Sequence, residues 1–101
     1  MTVAIPSWQQ RISPVLDTAM SLLVVTCRHG REASRREVVL GPLTPDAFAR
    51  SMAELRVDVV LCAAISLELL RLLEHSGVQV QPHLCGEVNE VLHAFGCGQL
   101  D

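Results

Sequence analysis

Aromatic residues are scarce: Trp8, Phe48 and Phe95 make up 3% of the 101 residues, and tyrosine is absent. So few rings cannot build the stacking platform on which single-stranded nucleic acids are held. A surplus of positive charge is missing as well, with 8 Lys and Arg against 11 Asp and Glu and a formal net charge of −3. Polyanion binding by counterion release needs a clustered cationic surplus, so no nucleic-acid partner is expected. No apolar run approaches the roughly 20 residues of a membrane-spanning helix. The longest, 57–65, is interrupted by Asp58 and is strand-sized. Pro6, Gln9, Gln10 and Arg11 break up the N-terminus before any apolar signal-peptide stretch develops. A cytoplasmic chain with no membrane partner is therefore expected, with its thiols reduced. The four cysteines, Cys27, Cys62, Cys85 and Cys97, contain no CxxC pair. That removes the usual spacing of a structural zinc site, and without export a disulfide framework is the poorer account of their even number.

What is present is a globular composition, 50% hydrophobic and 19% charged, without repeats, linkers or low-complexity segments. Residues 1–101 read as a single domain. Residues 2–5 form a short apolar strand stopped by Pro6, and 6–19, with two prolines, a loop with a short turn. Residues 20–27 are β-branched and apolar, and 32–40 return after the turn at Arg28-His29-Gly30-Arg31 as a charged strand suited to a sheet edge. Thr44, Pro45 and Asp46 mark a helix start, and Phe48, Met52 and Leu55 give it an apolar face that ends near Arg56. The near-continuous apolar run 57–65 reads as a strand buried on both faces. A helix over 66–76, a strand over 78–84 and a third helix over 87–95 follow. The order βββαβαβα predicts a mixed sheet in an α/β domain, with right-handed crossovers in its second half.

Four segments in register resemble the dinitrogenase iron–molybdenum cofactor biosynthesis domain family. They are Ile5-Pro6 with Arg11-Ile12-Ser13-Pro14 and Ala19; the stretch from Asp58 through Cys62 to Ser66; the stretch from Gly77-Val78 to Gly86-Glu87-Val88-Asn89-Glu90-Val91-Leu92; and the ending Gly98-Gln99-Leu100. The resemblance implies a ribonuclease H-like α/β fold, with three helices and a five-stranded mixed sheet in the order 3-2-1-4-5, strand 2 antiparallel. It also implies binding, carriage or protection of a metal–sulfur cluster or its precursor, in a family not known for enzymes acting on small substrates. Two segments differ from the family pattern. Gly41-Pro42-Leu43-Thr44 stands where many relatives have a His-Gly-rich loop, and Ala63-Ala64-Ile65-Ser66 where many have Gly-Gly-Ile-Gly.

With that sheet order, a crevice opens at the carboxyl ends of the first and fourth strands, where ligands bind in open α/β sheets. Residues 7–13, 62–66 and 84–86 arrive there, and the second and third helices begin at the same rim. Arg11, Ser13, Cys62, Ser66, Cys85 and Gly86 are the candidate cofactor-binding residues, with Cys62, Cys85 and His83 as candidate metal ligands. Cys85 sits at a helix start, whose partial positive charge suits a thiolate ligand. His83, two residues earlier on an extended segment, would share its face. Soft thiolates suit iron, molybdenum or copper in metal–sulfur species.

Each candidate has a plainer reading. Cys62 in an apolar strand can simply pack, His83 can be an exposed strand residue, and Arg11 can cover a loop with its stem. Trp8 can be loop packing, Cys27 structural, and Cys97 part of a tail. Asp17, Asp46 and Asp58 fall in a loop, a helix start and a strand start, so no convergent carboxylates and no catalysis are expected. No GxSxG, HExxH or phosphate-loop motif is present. The expected function is non-catalytic binding or carriage of a metal–sulfur cluster or iron–molybdenum-type precursor, with a cluster donor or acceptor protein as partner. The alternatives are a protein–protein interaction module and a thiol redox sensor pairing Cys62 with Cys85.

Overall fold

The computed structural model describes residues 1–41 and 43–96. Its centre is β1 (Thr2–Trp8), where Val3, Ala4 and Ile5 are fully buried. β1 pairs antiparallel with β3 (Ser21–Arg28) on one side and parallel with β5 (Val59–Leu61) on the other. β4 (Arg31–Val39) pairs antiparallel outside β3, and β6 (Gln79–Gln81) pairs parallel outside β5. The main sheet is thus mixed, in the order β4-β3-β1-β5-β6. A sixth strand, β2 (Arg11–Ile12), folds back on the end of β1 off this path. The order therefore differs from the five-stranded 3-2-1-4-5 expectation, because β2 adds a strand after β1 and renumbers all that follow.

β1 also runs past Pro6, where the sequence predicts a stop. The Pro6 carbonyl accepts a bond from the Ser13 amide at 2.9 Å. A strand residue's N–H and C=O point to the same side. The missing donor of Pro6 therefore faces the β2 side and costs nothing in the β3 ladder.

Side chains alternate across the sheet and separate two cores. Ala4, Leu22, Val24, Val60 and Cys62 face α1 (Pro45–Glu54) and α2 (Leu67–His75). Val3, Ile5, Val25, Val59 and Leu61 face α3 (Val88–Phe95). The helices begin and end where local chemistry says they should. Thr44 accepts a bond from the Ala47 amide at 3.2 Å, and Pro45 takes the first position, where no donor is needed. Ser66 accepts from the Leu69 amide at 3.2 Å. Gly96 ends α3 in the left-handed conformation.

The outer edge, β4, is defended against self-pairing. A bulge interrupts its register with β3 between Thr26 and Cys27. A symmetric antiparallel pairing must centre on a residue facing its own copy. Centres at 35, 36 and 37 would set Arg35, Arg36 or Glu37 against itself. Across the described residues no helix is long and apolar enough to cross a membrane.

Candidate functional site

β1, β5 and β6 run parallel and end at one rim. Three segments build it: the β1–β2 hairpin, the loop 62–66 after β5, and the loop 82–87 after β6. The hairpin is closed by two residues, with Trp8 paired to Arg11. Both turn residues, Gln9 (φ 51°) and Gln10 (φ 67°), occupy the left-handed region usually reserved for Asn-Gly. Tertiary bonds hold the turn there. The Gln10 carbonyl accepts from the Val88 amide at 2.9 Å, and the Ile12 amide donates to the Gly86 carbonyl at 3.0 Å. These two bonds together make the antiparallel bridge between Arg11 and Glu87. Arg11 is consequently an exposed cation beside the first turn of α3. Trp8 is 67% exposed, which replaces the loop-packing reading with a solvent-facing ring.

The start of α2 is different, because Asp17 already fills it. Its carboxylate accepts from the Ser66 amide at 2.8 Å and from the Ser66 hydroxyl at 2.5 Å. Ser66 is therefore a helix cap with its own carboxylate partner, and the positive end of α2 is met from within the chain. Asp17 comes from the 3-10 turn Leu16–Thr18, which the Leu16 amide anchors to the Ala64 carbonyl at 2.8 Å. Nothing in the sequence marks this pairing, since 49 positions separate the partners. Ser13 is buried, with its amide tied to Pro6, so it braces the loop rather than facing the rim.

The two candidate thiolates lie on opposite faces of the sheet. Cys62 is fully buried in the core beneath α1 and α2. Desolvation raises its thiol to about 11, and the nearby Asp17 carboxylate adds to the effect. Cys85 is an exposed free thiol. It lines an open groove of about 340 Å³ together with Gln81, Leu84, Glu90, Val91 and Phe95, on the α3 side. Gly86 follows at φ 111°, where a side chain would be strained although a Cβ would meet nothing closer than Glu90 Oε2 at 3.7 Å.

His83 does not share the face of Cys85 by strand alternation. β6 ends at Gln81, and His83 takes a left-handed φ of 67° while its amide donates to the Ala63 carbonyl at 2.8 Å. The backbone bends there, so a two-residue spacing no longer fixes a common direction. Reduced thiols were the expectation throughout, yet Cys27 is disulfide-bonded. Cys97 and the Gly98-Gln99-Leu100 ending lie outside the described residues. Among the described residues no three His, Cys, Asp or Glu side chains gather to hold a metal ion.

Comparison with known proteins adds the fold's relatives. No protein-family model matches the sequence. No curated protein matches it. Solved structures do. The crystal structure of PH0822 superposes with a TM-score of 0.89 at 20% identity, covering 100% of this chain and 95% of that one. A protein of Methanocaldococcus jannaschii provisionally named a dinitrogenase (MJ0327) gives 0.80 at 18% identity, covering 95% and 88%. A Thermotoga protein provisionally named NifB (TM1290) and placed in the DUF35 family gives 0.73 at 18% identity, covering 93% and 85%. At these identities the likeness is one of fold, which this chain shares with those three structures along nearly its whole length.

Proposed function

We propose that this chain binds or carries a metal–sulfur cluster, or an iron–molybdenum-type precursor, without transforming it. The observation that carries the reading is the exposed Cys85 thiol at the rim where α3 begins, with the hairpin that carries Arg11 tied to the same segment by two backbone hydrogen bonds. An anionic cluster with an open iron, molybdenum or copper position would meet one soft thiolate there, with the exposed Arg11 on the adjoining hairpin as a source of positive charge. The names of two fold relatives, a dinitrogenase and a NifB, point to the same theme. The ribonuclease H-like description of the sheet, the cytoplasmic location, and a cluster donor or acceptor protein as partner belong to this reading as well.

Within it Cys85 is the principal ligand, with Gly86 and Arg11 beside it and His83 as a second donor one loop residue removed. Cys62 and Ser66 serve the site from behind: a buried, protonated thiol cannot ligate without leaving its core, and Ser66 is engaged by Asp17. Ser13 supports the hairpin that carries Arg11. The opposite placement of Cys62 and Cys85 also weighs against a redox sensor that pairs them.

Anaerobic reconstitution with iron and sulfide, followed by absorption in the visible range, tests the proposal. Charge-transfer bands should form on the unaltered chain, persist in Cys62→Ala and vanish in Cys85→Ser. Bands that survive loss of Cys85, or a chain that takes up no cluster at all, would overturn it.

A further inference from the structure

Cys27 stands near the end of β3 with its backbone held at both polar groups. Its amide donates to the Met1 carbonyl at 2.8 Å, and its carbonyl accepts from the N-terminal amine at 3.0 Å. Two residues after Val25, its side chain joins the core beneath α3, where Leu92 and Phe95 also pack. The sulfur there is disulfide-bonded. Cys62 and Cys85 are both free, so of the chain's four cysteines only Cys97 is left to be its partner. The described chain runs toward such a bond. Gly96, the sequence neighbour of Cys97, sits against the β3–β4 turn, where a Cβ on Gly30 would lie 3.5 Å from the Gly96 carbonyl oxygen.

The strand end is rigid, but the helix end it faces is lightly held. Leu92 is the last buried residue of α3; His93, Ala94 and Gly96 are exposed and Phe95 is half-buried. A terminal turn with so little burial opens at small cost unless something else ties it down. Phe95 makes that turn matter, because it lines two cavities at once. One, about 480 Å³, also takes in Cys27, Arg28 and His29. The other is the groove of Cys85, which Ala94 lines as well.

We infer that a disulfide between Cys27 and Cys97 is a redox-sensitive clasp on the last turn of α3, and that opening it loosens the wall of the groove that Cys85 lines. The chemistry is exchange with a dithiol. One thiolate of the dithiol attacks a sulfur of the bond, forming a mixed disulfide and releasing the other cysteine. The second thiol then closes on the first and releases the remaining cysteine. Two electrons pass to the protein, the dithiol leaves as a disulfide, and its two protons end on the two cysteines. The cavity at Cys27 gives the approach, with the exposed Arg28 in its lining to attract the incoming thiolate. Once the bond is open, only the packing of Phe95 and the backbone bonds of the turn itself hold the helix end. The inference concerns the motion of the groove wall and not its cargo, so it stands or falls apart from any metal binding.

Peptide mapping of the metal-free full chain without reductant tests the pairing, and should find Cys27 and Cys97 in one linked fragment. Millimolar dithiothreitol should open that bond in the native chain, without denaturant, while the chain stays folded. Hydrogen exchange in the last turn of α3 should then speed up by about tenfold or more, with the centre of β1 unchanged. Cys97→Ser should show the same faster exchange with no reductant present, and its Cys85 should take iodoacetamide about threefold faster. A link to another cysteine or none at all, a bond that opens only after unfolding, or an opened bond that leaves the exchange of α3 unchanged would each overturn the inference.

Discussion

Single residues divide the thiol chemistry of this molecule. Cys62 is buried against α1 and α2, and its thiol is raised from 9.0 to about 11. The folded chain therefore keeps a proton that the unfolded chain gives up. Native stability contributed this way is complete below pH 9, and is lost as pH climbs from 9 through about 11. A two-unit difference is worth about 2–3 kcal/mol at its limit. Denaturation midpoints measured across that interval should fall, and Cys62→Val should flatten the part due to this residue. Alkylation makes the complementary case. With a small iodoacetamide reagent at pH 8, Cys85 should react in the folded chain and Cys62 only after unfolding, as peptide mapping would reveal. Rapid native labelling of Cys62 would contradict the burial on which its assignment rests.

Among the elements, the β1–β2 hairpin and the Asp17 cap carry the most specific consequences. Two glutamines in the left-handed region cost about 1–2 kcal/mol each, where Asn-Gly would cost less. Replacing Gln9-Gln10 by Asn-Gly should stabilise the fold by about 1 kcal/mol, after the extra backbone entropy of glycine is subtracted. The same change leaves Arg11 in register and should leave cluster uptake unaltered. Asp17→Ala removes both bonds to Ser66 and should cost about 1–2 kcal/mol in urea denaturation, most of it from the start of α2. A loss below the error of the measurement would mean that water serves Ser66 equally well.

Which elements are visible in the sequence follows from where their determinants sit. The helices announce themselves through nearest neighbours: Thr44-Pro45 and Ser66 at their starts, and glycines at 77 and 96 at two of their ends. Strand identity is equally plain, but strand length is not. The run 57–65 is buried over 57 and 59–62, yet only Val59–Leu61 stays in the ladder. Burial and hydrogen bonding separate where β5 gives way to the loop that anchors the 3-10 turn. β2 goes unseen because Gln-Gln is no turn signal, and only contacts with Gly86, Glu87 and Val88, more than 70 positions away, force it. The site is legible in the same uneven way. Cys85, Gly86 and Arg11 lie in the loops that follow β6 and β1, as the sheet order implied by the resemblance places them, whereas the facing of Cys62 and the bend at His83 depend on which strand residue leaves the sheet first.

At the scale of the whole molecule, one sheet separates two packed cores, one under α1 and α2 and one under α3. The α3 side presents Cys85 to solvent in an open groove, and the α1–α2 side holds a larger cavity floored by Leu40, Phe48 and Leu69. The cores set the tolerance for change. Leu73 is fully buried in the α1–α2 core, so Leu73→Ala should cost about 2–5 kcal/mol in urea denaturation. The central claim is that this chain carries a metal–sulfur cargo through Cys85. Elemental analysis of protein purified without oxygen, beside Cys85→Ser handled identically, tests it most directly. The account predicts iron, molybdenum or copper on the unaltered chain and its loss from the variant, with both equally folded. Equal metal content in the two, or none in either, would contradict it.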